Sequence, residues 1–372
     1  VVIWLAYMAI SMLSTALGQS RLLPALWQFQ YNLKWPLMFG LGYLLIWGER
    51  PARWLDRIVG WGWLILLGCV AMEIAAPGVH AKIFGPIVDY HSNPLIGWGL
   101  RRRGPFSHSG YLAIVAALLA ATALARTIAG GSKLWLLPGG IYVALVLLSG
   151  QRQEFLGLLL TFGLFAIIAW RRYWYLMLLA AVSLGAVALI LILALGHVPM
   201  AQTLAQWGLV ASYAPLSERA ILTYQGMAIA DQHFPLGSGL GTYGGPGAQK
   251  FDQRLYFDLG FNRYWWFRQG LFLVDTFWPG VVAESGYFGL ALLLGLFVVA
   301  CVSTLLRVLR AEHTPLHALG LSALAALTLM LANSPTSGAM TDPRGAFLFW
   351  MIVGTFWSAS MPVPPARTGR IK

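Results

Sequence analysis

The sequence predicts an all-α, polytopic membrane protein with about ten transmembrane helices and one large outer loop that contains short helices. Three observations lead to this prediction. Of the 372 residues, 58% are hydrophobic and 10% are charged, against about 25% charged residues in a typical soluble domain. The apolar residues gather in runs of roughly 20, the length at which a helix crosses a bilayer. Loops rich in basic residues alternate with two long connections.

The apolar runs divide the chain into three parts. The first part, 1–196, contains the N-terminal spans and a first outer loop at 77–108. The second part, 197–278, is a large loop. The third part, 279–372, contains further spans and a cytoplasmic tail. Because Val1 stands inside an apolar run without an initiator methionine, we expect part of the natural N-terminus to precede it. The predicted spans lie at 1–17, 31–47, 58–76, 109–126, 134–149, 153–170, 173–196, 279–306, 316–333 and 345–361.

One side of the predicted bundle carries basic residues in short loops and tails, which marks it as cytoplasmic. The connections 77–108 and 197–278 therefore lie on the outer side. A loop of about 80 residues is too long for a plain connector, so we expect 197–278 to carry function. The basic residues are Arg50, Arg53, Arg57, Arg126, Lys133, Arg171, Arg172, Arg307, Arg310, Arg367, Arg370 and Lys372.

The formal net charge of +12 indicates anionic partners, which for a membrane protein are lipid headgroups and phosphate-bearing substrates. The sequence has no basic low-complexity arm and no zinc-finger spacing, so we expect no nucleic-acid binding. Cys69 and Cys301 lie in apolar stretches and are interpreted as packing residues. Asp89, His91 and His108 are too widely spaced to indicate a metal site, and no cofactor is expected.

Arginines on the predicted outer side are the best indication of function. Arginine binds phosphate through two parallel hydrogen bonds, so the set suggests a phosphate-bearing ligand. The alternative for any one of them is contact with lipid headgroups at the membrane surface. The set comprises Arg101, Arg102, Arg103, Arg152, Arg219, Arg254, Arg263, Arg268 and Arg344.

Three of these arginines and a histidine precede the predicted span at 109–126. Arg101, Arg102 and Arg103 precede a Gly-Pro turn, where three adjacent cations could hold a pyrophosphate. His108, at the helix entry, is either functional or a capping and packing residue.

Arg152 follows the tight turn that begins at Ser149. An arginine at membrane depth is costly unless it is paired or faces a water-filled cavity, so Arg152 is a functional candidate. Glu154 could simply neutralise it. Arg344 also lies in a short outer connection, against the rule that orients the other loops.

Within the large loop, Ser217 is a good N-cap for a predicted helix. Arg219 lies in its first turn, where the helix dipole favours acids, so we expect either an anionic partner or a pair with a nearby acid. The residues expected to face the membrane domain or its interface are Ile221, Tyr224, Gln225 and Ala228.

A glycine-rich segment follows at 235–245. Gly239, Gly241 and Gly244 match a dinucleotide-binding pattern, but no strand precedes them, so we predict a tight backbone turn instead. The segment 254–268, rich in aromatic and basic residues, is interpreted as an interfacial aromatic belt, with a saccharide platform as the alternative.

Two acids stand at the entry to the next span. Asp275, at the outer membrane surface and near several arginines, is a candidate general base or a salt-bridge partner. Glu284 lies deeper, and an intramembrane glutamate needs a partner, for which Arg152 and Arg344 are candidates. Close behind Glu284, Gly286 and Gly289 permit close helix approach.

These elements, in this order and at this membrane placement, resemble the O-antigen ligase and polymerase superfamily. The resemblance covers about residues 90 to 290. It rests on Arg-x-x-Gly-x-Phe-x-His at 101–108, the short outer turn with Arg152, and the Arg219 helix that leads to Pro-x-Gly-x-Gly-x-Gly at 235–241. The last element is Asp275-Thr276, nine residues, and then Gly-x-x-Gly at 286–289.

The resemblance implies a metal-independent glycosyltransferase with a GT-C-like membrane core in the bacterial inner membrane, with its active site facing the periplasm. It assigns binding of the lipid diphosphate to Arg152 and Arg219. Ligases of the superfamily carry histidine where this chain has Asp275, so the resemblance favours the polymerase side. Asp275 would then accept or orient the acceptor hydroxyl.

The expected function is polymerisation of O-antigen or exopolysaccharide on undecaprenyl diphosphate, with membrane lipids and a chain-length regulator as further partners. Catalysis is assigned to Asp275, Arg152 and Arg219. Substrate binding is assigned to Arg101, Arg102, Arg103, His108, Glu284 and Arg344. The alternatives are a ligase that transfers glycan to a lipid A core, and a non-enzymatic flippase or channel for the same lipid-linked glycans.

Overall fold

The computed structural model describes residues 2–44, 50–86, 91–97, 99–169, 217–311, 315–335, 337, 340 and 346–361. These residues form helices and no strand, apart from one isolated bridge between Ser92 and Leu100. The predicted span 173–196, the loop residues 197–216, and Arg344 lie outside the described residues.

The described part contains fourteen α-helices, which we number in chain order. The first half holds α1 (Val2–Leu17), α2 (Leu22–Leu44), α3 (Arg50–Ala75), α4 (Pro77–Phe84), α5 (Ser109–Ile128), α6 (Leu136–Ser149) and α7 (Arg152–Ala169). The second half holds α8 (Glu218–Gln232), α9 (Pro246–Phe251), α10 (Arg254–Asp258), α11 (Trp265–Arg268), α12 (Trp278–Arg310), α13 (Pro315–Asn333) and α14 (Ala346–Ala359).

Five helices, α3, α5, α7, α12 and α13, are long and apolar enough to cross a membrane. The helices α1, α6 and α14 are apolar but shorter. The chain is therefore an α-helical, multi-pass membrane protein, as predicted.

The start of α2 was predicted wrongly, because the helix begins at Leu22 and not at residue 31. Gln28 interrupts the apolar run in the sequence, and Asn32 is a second amide just inside the predicted span. In the fold both side chains are buried, and Gln28 donates a hydrogen bond of 3.2 Å to Asn32 one helical turn further on. This mutual pairing offsets the cost of placing two amides inside the bundle.

Helices α5 and α13 form the centre of the bundle. The helix α5 packs between α6 and α13, and its alanines, among them Ala116, Ala117, Ala120 and Ala121, are almost fully buried. Small side chains let helix backbones approach closely, which gives van der Waals contact where lipid removes the hydrophobic driving force. Around this centre, α2 packs on α14, α14 on α13, and α1 on α12.

The two ends of the bundle differ in chemistry. At the end that we call the basic end, α3 starts, α5 and α12 finish, and Arg126 forms an ion pair with Asp56. At the opposite end, the loop end, α1, α3, α6 and α13 finish while α2, α5, α7 and α12 begin. The segment 217–278 lies at the loop end, because α8 packs on α12 and α9 packs on α2.

The segment 217–278 has a small hydrophobic core of its own. Tyr256, Phe261, Trp266 and Phe267 are buried in it, and their rings contact one another at centroid distances of 5.2–6.0 Å. Only part of the predicted aromatic belt therefore faces outward, as Phe257 does with 55% of its surface exposed. The loop folds as a packed cap, and its aromatic residues mainly build that cap.

Candidate functional site

The glycine-rich segment 235–245 is inserted between α1, α2 and α12, and a break in α12 receives it. Gly237, Gly239, Gly241 and Gly244 all have positive φ, which confirms the predicted tight turn. At the break, Gly286 has φ 64° and ψ −171°, a conformation that is essentially restricted to glycine.

Glu284 holds this segment in place. Its Oε1 atom accepts hydrogen bonds from the backbone N–H of Gly241 at 2.8 Å and of Tyr243 at 3.3 Å, and the side chain is 4% exposed. Successive backbone N–H groups in a turn form a concave anion site, which explains why a carboxylate fits there. The observed partner of Glu284 is thus the loop backbone and not Arg152. The other predicted candidate, Arg344, lies outside the described residues.

Of the two glycines after Glu284, only Gly289 acts as expected. It faces Tyr7 of α1, and a Cβ atom there would lie 3.7 Å from the tyrosine ring. Gly286 admits a loop instead of a helix, because its Cβ position would meet the carbonyl oxygen of Pro235.

Helix α8 begins as predicted, with Ser217 accepting a hydrogen bond from the N–H of Ala220 at 3.2 Å. An interfacial position of the face with Tyr224 stays a prediction, but packing of that face on the membrane domain is contradicted, since Leu222 and Ile229 are buried while Tyr224 is 47% exposed. The reason is Gly226, whose missing side chain lets α8 lie against Pro279 at the start of α12.

The geometry of α8 brings Arg219 to Asp275. The Nη2 atom of Arg219 donates to Oδ2 of Asp275 at 3.1 Å, so of the two alternatives for Arg219 the pair with an acid is observed. The side chains remain 26% and 35% exposed, which leaves the pair accessible from the loop end. Two residues separated by 56 positions thus meet beside the start of a transmembrane helix.

The three adjacent arginines at 101–103 do not act together. Arg103 is 3% exposed, and its guanidinium donates to the carbonyl oxygens of Phe84 and Gly85, just beyond the last turn of α4. Its backbone N–H donates to Glu73 at 3.1 Å. Arg103 therefore attaches α4 to the turn. A pyrophosphate site made by all three cations was a wrong prediction, because the chain directs them to different neighbours.

Arg101 and Arg102 lie on the other side of this turn, beside the connection between α6 and α7. The backbone N–H of Arg102 donates to the carbonyl oxygen of Leu148 at 3.0 Å. The side chain of Arg101 lies against Gly150, where a Cβ atom would come within 2.9 Å of it. His108 acts as the N-cap of α5, with its Nδ1 atom accepting from the N–H of Gly110 at 3.0 Å.

A chain of pairwise interactions links five charged side chains at the loop end, and we call them the charged cluster: Arg101, Arg152, Glu154, Arg219 and Asp275. The charge that acts on half-buried Arg152 is that of Arg101, another cation. The charges of both Arg219 and Arg101 act on Glu154. Glu154 therefore interacts mainly with residues distant in sequence, and does not simply neutralise Arg152.

Several buried polar atoms in and beside this cluster have no hydrogen-bond partner. They are Nε of Arg101, Oε2 of Glu154, Nε of Arg219 and Oγ1 of Thr276. Buried donors and acceptors in proteins are almost always paired, so such a concentration requires an explanation. A polar ligand that binds among them would provide the missing partners.

Other arginines of the loop have local partners. Arg254 donates to both carboxylate oxygens of Asp252, at 2.8 and 2.6 Å, and these hydrogen bonds hold the pKa of Asp252 below its usual value. Arg263 stacks on the ring of Tyr264 at 4.9 Å. Within the described ranges, no group of three His, Cys, Asp or Glu side chains could hold a metal ion.

Fold and site together define a multi-pass α-helical membrane protein with an arginine-rich charged cluster at one end of its bundle. No protein-family model matches the chain, and no curated protein matches it at a significant level.

Proposed function

We propose that this protein is a polymerase of lipid-linked surface polysaccharide, of the O-antigen ligase and polymerase superfamily. It would act in the bacterial inner membrane, with the basic end in the cytoplasm and the loop end in the periplasm. The proposal includes a GT-C-like core of about ten spans, each long enough to cross the bilayer. The observation that carries it is the ion pair of Arg219 and Asp275, which belongs to the same charged cluster as Arg101 and Arg152.

In the proposed reaction, a glycan on undecaprenyl diphosphate is the donor and a lipid-linked repeat unit is the acceptor. The acceptor hydroxyl forms a bond to the anomeric carbon of the donor, while the bond between that carbon and the phosphate oxygen breaks. Undecaprenyl diphosphate leaves with the electron pair. The lipid tails stay in the bilayer, so the diphosphate must lie at the membrane surface, which is the level of the charged cluster.

The arginines stabilise the leaving group. Negative charge develops on the diphosphate in the transition state, and cations already held in place lower its energy without reorganisation. Arg152 suits this role because it is half-buried and its charged neighbour is Arg101. Two cations held together repel each other, and a bound diphosphate relieves that repulsion.

Asp275 accepts the proton of the acceptor hydroxyl or orients it for attack. Its Oδ2 atom is bound to Arg219, and Oδ1 remains available to the hydroxyl. The ion pair with Arg219 occupies one of the two carboxylate oxygens of Asp275. Release of Arg219 towards the diphosphate would therefore free both carboxylate oxygens of Asp275 for the acceptor hydroxyl.

The remaining predicted substrate-binding residues divide by geometry. Arg101 stays in the proposed site and Arg102 lies at its edge. Arg103 and Glu284 are committed to the turn after α4 and to the glycine-rich segment. His108 shapes the entry of α5.

Replacing Asp275 with alanine should lower the rate of polymerisation about a hundredfold, because general-base catalysis contributes at least that much in most enzymes. Cells that lack the native gene and carry the variant should make short glycans in place of long polymer, as seen by gel electrophoresis of extracted polysaccharide. Protein amount in the membrane must match wild type. Asp258→Ala, at an exposed acid of the same loop, is the matched control and should leave polymer length unchanged.

The products decide between the alternatives. Glycan lengthened on undecaprenyl diphosphate supports a polymerase, whereas glycan joined to a lipid A core indicates a ligase. Full-length polymer from all three alanine variants, at Arg152, Arg219 and Asp275, would contradict the mechanism. Retained activity in Asp275→Ala alone would remove only the base.

A further inference from the structure

Glu154 is an acid that the proposed reaction does not yet use. It lies in the first turn of α7, where the helix dipole stabilises a carboxylate, and its side chain is only 7% exposed. Its Oε2 atom is buried and has no hydrogen-bond partner. A buried carboxylate oxygen without a partner costs free energy, because burial removes its hydration and no hydrogen bond replaces it.

The neighbour that Glu154 can serve is Arg219. The charge of Arg219 acts on the Glu154 carboxyl, and the Nε atom of Arg219 is itself buried without a partner. The guanidinium of Arg219 thus has one donor, Nη2, bound to Asp275 and another donor, Nε, without a partner. Glu154 thus has an unpaired acceptor and Arg219 an unpaired donor within the same charged cluster. A guanidinium has enough donors to bind both acids.

We propose that Glu154 is a positioning residue that holds the Arg219 guanidinium when the diphosphate of the donor draws Arg219 away from Asp275. The inference rests on the proposed function, since it assigns a diphosphate to the cluster. Arg219 moves from the Asp275 carboxylate to the Glu154 carboxylate. Its guanidinium therefore stays in the site and does not depart with the leaving group. Asp275 is released as the diphosphate arrives, so donor binding and activation of the acceptor are coupled through one guanidinium.

The sign of the effect separates this role from simple electrostatics. If Glu154 only contributed negative charge, its removal would strengthen the binding of an anion to the cluster. If Glu154 positions Arg219, its removal weakens binding, because Arg219 stays with Asp275. The neutral and isosteric change Glu154→Gln tests the two cases with little disturbance of packing.

The experiment measures binding of undecaprenyl diphosphate to the purified full chain in detergent, for wild type, E154Q, R219A and the double variant. We expect E154Q to weaken binding about tenfold, and to have no weakening effect once Arg219 is alanine, as for residues that act as a unit. Equal thermal unfolding midpoints exclude misfolding. Glu218→Gln, an acid next to Arg219 in the chain, is the matched control and should bind as wild type.

Each outcome of these measurements supports or overturns the positioning role of Glu154. Tighter binding by E154Q, or a loss that adds fully to that of R219A, overturns the positioning role. Polymerisation by wild type in the same preparation, together with such a result, leaves the proposed function standing while this inference fails. Binding with the expected coupling but without polymerisation supports the inference and overturns the polymerase assignment. A wild-type protein that neither binds nor polymerises overturns both.

Discussion

Replacing Arg219 with alanine should lower the rate of glycan polymerisation about a thousandfold, because removal of one group that stabilises developing negative charge costs that much in comparable sites. Two effects combine here. The diphosphate loses a cation, and Asp275 loses the partner that now holds its Oδ2 atom at 3.1 Å. Lysine at this position should restore only part of the rate, since an ammonium cannot bind a phosphate and a carboxylate as a planar guanidinium does.

The measurement is polymer formation from a lipid-linked donor by purified protein, with the variant present at wild-type amount and unfolding temperature. Arg268→Ala is the matched control, because Arg268 is an exposed arginine of the same loop. A rate for Arg219→Ala within a few-fold of that for Arg268→Ala would show that the diphosphate does not bind at the charged cluster.

The second large effect concerns stability and does not depend on the proposed function. Gly286→Ala should reduce the free energy of unfolding by about 3 kcal/mol or more, because its φ of 64° and ψ of −171° are strained for any residue with a side chain. The added methyl group would also meet the carbonyl oxygen of Pro235. We expect a lower thermal unfolding midpoint in detergent, and faster proteolysis within 235–245 as the segment leaves its place.

Gly295→Ala supplies the control within the same helix. Apart from the adjacent residues and the backbone of its own helix, no atom lies within 4 Å of the Cβ position at Gly295, so alanine fits there. Since alanine favours a helix over glycine by about 1 kcal/mol, this variant should be as stable as wild type or slightly more stable. Equal stability of the two variants would mean that the break in α12 does not hold the glycine-rich segment.

The helical spans were predictable because each depends on local composition alone. The runs that became α5, α12 and α13 are apolar enough to be recognised without knowledge of their neighbours. The start of α2 was missed because Gln28 looks like an interruption of the apolar run until its hydrogen bond to Asn32 is known. Such pairing lies on one helix face and leaves no clear mark in the sequence.

The residue types of the candidate site were predictable from the sequence, but the contacts that these residues make were not. Arg219 and Asp275 stood out as an arginine against the helix dipole and an acid at a membrane surface, and the fold joins them. The roles of Arg103 and Glu284 depended on backbone groups that only tertiary structure brings close, at Gly85 and at Gly241. In the sequence Glu154 was interpreted only as a countercharge for Arg152, because its interactions with Arg219 and Arg101 depend on the tertiary structure.

The seat of the glycine-rich segment also has a consequence for biosynthesis. Ser14 of α1 donates to the carbonyl oxygen of Glu284 across 270 positions, and Thr15 accepts from the N–H of Leu240. The ribosome therefore delivers α1 to the bilayer long before its partners in α12 exist. Contacts this distant in sequence form slowly and late. In a nascent chain stopped before Glu284, Ser14 of α1 would lack its partner and the loop end would be incompletely packed. Such a chain would be a substrate for the proteases that remove misfolded membrane proteins.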